Sequence, residues 1–211
     1  VEQLADIVGF RQFRASLLVP AHARIDPAPD LAGLLAEGHL AAPPGSDRDG
    51  SDDPPLVAAI VRALAPRWPA DLPFARLAEA LAVAPGALVD PLRSLVDDER
   101  VQLRPRALPI AAPGPTPRVA ELSRFEAAHL PFVTNPRHEH APLDVFHAAL
   151  LRHLDGRPRD AVTAALVDDI LAGRLRLASA AIPPIEQLRA ALPAMVDAGL
   201  RRLHAAGLLV A

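Results

Sequence analysis

Two proline-rich stretches constrain how this chain of 211 residues can fold. Residues 42–53 are polar, acidic and rich in Gly and Pro, which is typical of a flexible linker. Residues 105–117 hold five prolines, which prevent a helix and favour an extended, semi-rigid connection. The sequence therefore predicts three parts, over residues 1–42, 51–105 and 118–211.

The composition excludes several classes of protein. The chain is 51% hydrophobic and 22% charged, with a formal net charge of −3, which argues against wholesale disorder. No uncharged apolar run is long enough to span a membrane, and the first residues do not form a signal-peptide pattern. The chain contains no Cys, which fits a reducing compartment, so we expect a cytoplasmic protein without membrane contact. It also contains no Lys, which excludes lysine Schiff bases and phosphate-loop lysines.

The middle part has the element order of a winged helix. Apolar residues recur at helical spacing in three segments, which predicts helices over residues 54–68, 74–81 and 87–99. We expect Asp52 or Asp53 to cap the first of these helices. A polar turn then leads to residues 101–104, whose alternation predicts a short strand. Helix, helix, turn, helix and strand is the order of a winged helix.

The last part repeats this plan. Apolar stripes predict helices over residues 142–154, 161–171 and 185–203. We expect Asp160 to cap the second helix and Gly207 to end the third, before a strand over residues 208–210.

The two parts also share one helix-to-strand corner. Leu92-Arg-Ser-Leu95, with Val101 six residues later, aligns without a gap on Leu200-Arg-Arg-Leu203, with Leu209 six residues later. Many unrelated corners have this pattern, so an accidental likeness and two copies of one plan both remain as interpretations. The fold class we predict is mainly α (α+β), with winged-helix-like modules, short β strands and an all-helical core.

Charge argues against nucleic acid as the partner. The predicted third helix of the middle part carries four carboxylates and a single Arg, namely Asp90, Asp97, Asp98, Glu99 and Arg93. This face would repel phosphate, and the pI of about 6.2 is far below that of a typical DNA-binding domain. A free-standing winged-helix transcriptional regulator that binds DNA is therefore the second hypothesis.

No catalytic constellation is visible in the sequence. No Ser lies in a Gly-x-Ser-x-Gly turn, and no Gly-x-Gly-x-x-Gly nucleotide fingerprint occurs. In an extended segment His138 and His140 would point the same way and could chelate an ion with Asp144 or His147. A small metal-dependent enzyme centred there is the third hypothesis, although a polar loop leading into a helix is the commoner explanation. We predict no catalytic, cofactor-binding or metal-binding residue in this chain.

Two further stretches resemble a known family. Phe10-Arg-Gln-Phe13-Arg14-Ala-Ser16-Leu17-Leu18-Val19 is similar to the Arg-x-Phe-Arg-x-Ser/Thr-Leu-Leu-Val stretch that opens the regulatory region of certain bacterial methyltransferases. Phe132 to Asp144, followed by Leu151-x-x-Leu154-Asp155-Gly156, resembles the Val-Thr-Asn-x-Arg-His…Leu-Asp…Leu-Leu-Asp-Gly run near their C terminus. These proteins are SAM-dependent protein-lysine methyltransferases of the rickettsial type.

The resemblance implies a non-catalytic regulatory and substrate-recognition region, which is the first hypothesis. Residues 1–42 would be the remnant of a linker helix and the start of the regulatory region. SAM would bind in a catalytic domain outside this chain. The partners implied are that catalytic domain and a protein substrate, and a homodimer is compatible with the pattern. The candidate docking residues are Phe13, Arg14, Asn135, Arg137 and His138.

Overall fold

The computed structural model describes residues 31–47, 53–176 and 184–211. Residues 31–211 form one compact unit. The candidate docking residues Phe13 and Arg14, and the linker helix predicted before them, lie outside the described residues. Within the described ranges, no helix combines the length and the apolar character that a membrane span requires.

A middle module is built from residues 31–104. Its helices are α1 (Leu31–Ala36), α2 (Pro55–Leu64), α3 (Phe74–Leu81) and α4 (Pro85–Asp97). Its strands are β1 (His39–Ala41), β2 (Leu72–Pro73) and β3 (Gln102–Arg104). These strands form an antiparallel sheet in the order β2-β1-β3.

Strand β1 lies at the centre of this sheet, although it precedes the predicted linker. Leu40 is opposite Leu72 on one side and Leu103 on the other. Leu40 is fully buried and shares a core with Leu77 and Leu92. Leu35, Leu40 and Ala42 therefore belong to the same hydrophobic core as the helices that follow the linker.

A C-terminal module is built from residues 118–211. Its helices are α5 (Glu121–His129), α6 (Val145–Arg152), α7 (Arg159–Leu171) and α8 (Ile185–Ala205). Its hairpin pairs β4 (Phe132–Thr134) with antiparallel β5 (His140–Pro142). Leu150, Leu166 and Leu200 are fully buried in its core. The predicted fold class, mainly α with winged-helix modules and short strands, is confirmed.

Two predicted helix caps are wrong. The N-cap of α2 is Pro54, and Asp53 instead binds Arg100, with Oδ1 and Oδ2 accepting from the guanidinium at 2.9 and 2.6 Å. The N-cap of α7 is Pro158, while Asp160 lies in the first turn. In both places a Pro with its fixed φ occupies the entry to the helix, so the neighbouring carboxylate is displaced from the capping position.

The helix-to-strand corner predicted to occur twice has the same backbone geometry in both copies. The fourth residue after the second Leu has a positive φ, 58° at Glu99 and 70° at Gly207. The N–H of the fifth residue then donates to that Leu, from Arg100 to Leu95 at 2.8 Å and from Leu208 to Leu203 at 2.9 Å. This is the left-handed helix ending that Gly favours. The same ending also closes α3 at Ala82 and α7 at Gly173, so an accidental likeness and two copies of one plan both remain as interpretations.

The segment 105–117 packs along the C-terminal module. Ile110 and Val210 form a β-bridge, and the backbone N–H of Ala111 donates to Leu209 at 3.0 Å. The guanidinium of Arg159 donates to the carbonyls of Gly114 and Pro113 at 2.8 and 3.0 Å. Side chains and backbone of the C-terminal module therefore hold this proline-rich segment in place.

Candidate functional site

The turn between β4 and β5 lies where the middle and C-terminal modules meet. Asn135 organises it: its Oδ1 accepts from the backbone N–H groups of Arg137 and Glu139 at 2.9 and 3.0 Å. Its Nδ2 donates to the Glu139 carboxylate and to the carbonyl of Ala206, both at 2.9 Å. Every polar atom of the Asn135 amide is therefore used, and the turn is fixed to the end of α8.

Arg137 projects from this turn into the middle module. Its side chain is 0% exposed. One guanidinium nitrogen donates to Gln102 at 2.6 Å, and the other donates to Asp71 at 2.9 Å and to the carbonyl of Pro69. The guanidinium also covers the Trp68 ring, 4.3 Å from its centre. All these partners come from the middle module, so a single side chain joins the two modules.

Asp71 connects the same site to the segment between the modules. Its side chain is 2% exposed, and its Oδ2 accepts from the backbone N–H of Leu108 at 2.9 Å. Its other oxygen accepts from Arg137. The carboxylate thus holds the middle module, the connecting segment and the C-terminal module together.

Burial and pairing act in opposite directions on Arg137. Burial lowers the pKa of Arg137, whereas the charge of Asp71 and its hydrogen bond raise it, and burial is the larger effect. A guanidinium nonetheless remains protonated in proteins, so it needs a compensating anion when it is buried. Asp71 supplies that anion.

The end of α8 completes the junction. The indole Nε1 of Trp68 donates to the carbonyl of Ala205 at 3.2 Å. Nδ1 of His204 donates to the carbonyl of Ala111 at 3.0 Å, because a carbonyl can only accept. Gly207 follows with a left-handed backbone, and a Cβ placed there would lie 3.5 Å from Ile110 and 3.7 Å from Pro69. The end of α8 and Gly207 therefore pack on both the middle module and the connecting segment.

The candidate docking residues of the turn have different surroundings. Asn135 and Arg137 are buried, and the contacts given above lie within this chain. His138 lies at the tip of the turn with an exposed side chain and a φ of 63°. Their docking to another polypeptide stays a prediction.

The His residues considered for metal binding have other neighbours. The His140 ring contacts Phe132, with 4.7 Å between ring centres. Nδ1 of His147 lies 2.7 Å from Oδ1 of Asp144, the side-chain cap of α6. In the part of the chain that the structure describes, no three or more His, Asp or Glu side chains are grouped to hold a metal ion. The junction described above holds the two modules of this chain together through an ion pair and hydrogen bonds.

The residues of the middle module that contact Arg137 were not predicted from the sequence. Trp68, Asp71 and Gln102 contribute three of the contacts to Arg137. The one available signal was Trp68, because it is the only Trp in a chain with 3% aromatic residues. Asp71 and Gln102 belong to stretches that look like ordinary polar turns and strands.

The C-terminal module is similar to a known domain family. A family model described as "PKMT, C-terminal winged helix domain" matches residues 116–208. The match covers less than half of the 211 residues, so it shows the likeness of this segment to that domain. The resemblance predicted from the residues is thereby confirmed, and the match includes the Asn135–Glu139 turn and the end of α8. No curated protein matches the chain significantly in sequence.

Two solved structures share the fold of the chain. One is PKMT2 from Rickettsia typhi in complex with AdoHcy, with a TM-score of 0.68 and 16% identity, covering 100% of this chain and 49% of that one. The other is PKMT2 from Rickettsia typhi, with a TM-score of 0.69 and 16% identity, covering 100% of this chain and 50% of that one. At this identity the likeness shows the fold. The chain spans about half the length of these PKMT2 structures.

Proposed function

We propose that the chain is the non-catalytic regulatory and substrate-recognition region of a cytoplasmic SAM-dependent protein-lysine methyltransferase. The observation that carries this proposal is the PKMT family match at residues 116–208, in a chain whose fold matches half of PKMT2. AdoHcy is the form of SAM that has lost its methyl group, so its presence in one PKMT2 structure supports SAM as the cofactor of the whole enzyme. In this proposal SAM binds in a catalytic domain outside this chain.

The junction supports a role in docking. Arg137, Asp71 and Trp68 fix the two modules in one orientation through a buried ion pair and an aromatic contact. All partners of the buried Arg137 guanidinium lie in the middle module, so a change in orientation would break these contacts together, and the two modules resist reorientation. A rigid pair of modules can present one fixed surface to a catalytic domain or to a protein substrate, without supplying a reacting group.

The charge on α4 favours protein over DNA as the partner. Asp90 and Asp97 are exposed on this helix, and Asp98 and Glu99 follow it, with Arg93 as the opposing cation. A winged helix that binds DNA places cations near the phosphates. The DNA-binding alternative therefore has weaker support than docking to a polypeptide.

Calorimetric titration of SAM and AdoHcy tests whether the cofactor site lies outside this chain. We expect no heat of binding with this chain alone. The protein encoded by the complete reading frame should bind SAM, because the proposal places the cofactor site in its other half. SAM binding or methyl transfer by this chain alone would overturn the proposal.

A methylation assay tests the regulatory role itself. The full-length protein and a version lacking residues 31–211 are compared for methyl transfer from labelled SAM to protein lysines. We expect the deletion to reduce transfer by roughly tenfold or more while SAM binding persists, because remote binding energy contributes to the rate. Unchanged transfer after the deletion would contradict the proposal, and a salt-dependent shift of random DNA by this chain would favour the DNA-binding alternative.

A further inference from the structure

A cavity of about 520 Å³ lies between the proline-rich connection and residues 209–211. Most of one wall comes from the stretch 111–118, and Asp155 and Gly156 complete the lining. The volume is within the range of sites that hold small ligands. The polar groups of the stretch 111–118 decide which kind of ligand the cavity suits.

The cavity opens where the stretch separates from residues 209–211. At its two ends the stretch is paired: Ala111 donates to the Leu209 carbonyl at 3.0 Å, and Val210 donates to the Arg118 carbonyl at 2.9 Å. Between these ends, no hydrogen bond of the described residues joins positions 112–117 to positions 209–211. The backbone groups there are therefore not used in pairing with the last strand-like residues.

The carbonyls of the stretch point towards the C-terminal module. Those of Pro113 and Pro115 accept from the guanidinium and the backbone N–H of Arg159, at 3.0 and 3.2 Å. That of Pro117 accepts from the backbone N–H of Gly156 at 3.2 Å. These three acceptors are thus already occupied on the side of the C-terminal module.

The N–H groups that follow the three prolines point the other way. In a trans peptide the N–H lies opposite the preceding carbonyl, and all three peptide bonds are trans. The N–H groups of Gly114, Thr116 and Arg118 therefore face away from Arg159 and Gly156. None of the three donates to an acceptor in the part of the chain that the structure describes, and all three residues line the cavity. The wall is consequently rich in donors.

Arg118 also brings a positive charge to the cavity. Its Cδ lies over Gly156, 4.0 Å from the place that a Cβ would take there. Within the described ranges its guanidinium has no ion-pair partner. Asp155, the one carboxylate side chain of the lining, is bound at both oxygens by Arg157, at 2.9 and 2.7 Å. The charge of Arg118 is therefore available to a ligand.

We propose that this cavity binds an oxyanion, the phosphate or carboxylate group of a small ligand. Backbone N–H groups that face one concavity bind anions, and a guanidinium binds two oxygens of such a group at once. The prolines at positions 113, 115 and 117 fix φ, so the donors are held in place before the ligand arrives. This inference does not depend on the proposed methyltransferase role.

Titration with sodium phosphate, and separately with sodium succinate, tests the site by ¹H–¹⁵N NMR at constant ionic strength. We expect the amide signals of Gly114, Thr116 and Arg118 to shift and to saturate in the millimolar range, as a small and partly exposed site implies. The anion with the stronger effect identifies the preferred group. Sodium chloride at the same ionic strength should leave these signals in place.

A charge-removing variant tests the role of the guanidinium. Arg118→Gln should weaken binding at least roughly tenfold, because charge-assisted hydrogen bonds are the strong ones. The matched control is Arg189→Gln, which removes an exposed Arg of α8 roughly 24 Å along the helix from Ala205, and it should bind like the native chain.

Ala211 also lines the cavity, and an α-carboxylate at this residue would oppose a bound anion. The titrations are therefore repeated on a chain with two glycines added after Ala211, which should bind equally well or more tightly. Absence of these amide shifts in both proteins, or equal binding by Arg118→Gln, would overturn the proposal.

Discussion

The Cζ atom of Arg137 lies 4.3 Å from the centre of the Trp68 ring, and the two residues belong to different modules. A desolvated cation over an aromatic ring contributes about 2 kcal/mol. The same guanidinium pairs with a buried carboxylate, so separating the modules exposes a ring and unpairs two charges in a single step. The two modules are thus energetically coupled, with consequences that can be measured.

We expect the junction and the modules to unfold in one transition. Trp68 is the only Trp and the chain has no Tyr, so its fluorescence reports the junction alone. Urea titrations followed by Trp fluorescence and by far-ultraviolet circular dichroism should give the same midpoint. A fluorescence midpoint at lower urea would mean that the junction opens before the modules unfold.

Arg137→Ala should destabilise the protein by roughly 3–5 kcal/mol, because it leaves the Asp71 carboxylate buried without its cation. Combining it with Asp71→Ala should cost less than the sum of the single changes. Arg157→Ala is the control: its ion pair with Asp155 is partly exposed, so about 0–1 kcal/mol is expected. Chemical denaturation gives the free energy of unfolding of the two single variants of the junction, the double variant and Arg157→Ala. Equal losses of this free energy in Arg137→Ala and Arg157→Ala would contradict a stabilising role of the junction.

Gly199→Ala should destabilise the packing of α8 on α6. A Cβ at this position would lie 2.7 Å from Cδ2 of Leu150 and 3.3 Å from Phe146. Leu150 is fully buried, so we expect a net loss of about 1–3 kcal/mol despite the better helix propensity of Ala. Gly86→Ala in α4 is the matched control, since nothing lies within 4 Å of its Cβ, and it should be neutral or stabilising. Thermal unfolding distinguishes the two, and a stabilised Gly199→Ala variant would refute the close contact.

Glu99→Gly should stabilise the protein. Glu99 has a φ of 58°, which costs a non-glycine residue about 1 kcal/mol, and the equivalent corner of the C-terminal module has Gly207. The expected gain is up to about 1 kcal/mol, read from the urea midpoint. A loss of stability would mean that the Glu99 side chain contributes more than its backbone conformation costs.

Acid should lower the free energy of unfolding partly by protonating Asp169, whose side chain is 7% exposed. Burial alone would raise the pKa of Asp169, but hydrogen bonds from His153 and Arg174 outweigh it, and the pKa is lowered. A lowered folded-state pKa means that the stabilisation is complete above the unfolded value of about 3.9 and is lost as the pH falls below it. Asp169→Asn should therefore show a shallower loss of stability between about pH 5 and pH 3. Identical pH profiles for the two proteins would exclude this contribution.

The sequence predicted those features that are determined by residues close together in the chain. The apolar stripe of α3 was found because periodicity is local, and residues 74–81 match Phe74–Leu81. Helix α5 was missed, since two of its large apolar side chains, Leu122 and Phe125, face solvent and break the usual pattern. The β4–β5 hairpin was missed because strands of three residues carry little alternation.

The junction could be predicted only on one side. Asn135 and Arg137 were singled out by their motif, but Asp71 is 66 residues from Arg137 in sequence. No local pattern indicates that an Arg on a polar turn will be buried, nor which carboxylate will meet it. Contacts of this range arise from the packing of two modules.

The position of β1 has a consequence for synthesis. Leu40 and Ala41 leave the ribosome before β2 and β3, the two strands between which they become buried. Until Arg104 has been added, the nascent chain carries an apolar strand with at least one unpaired edge, the kind of segment that chaperones bind. Translation of the middle module must therefore be nearly finished before both edges of its first strand can pair.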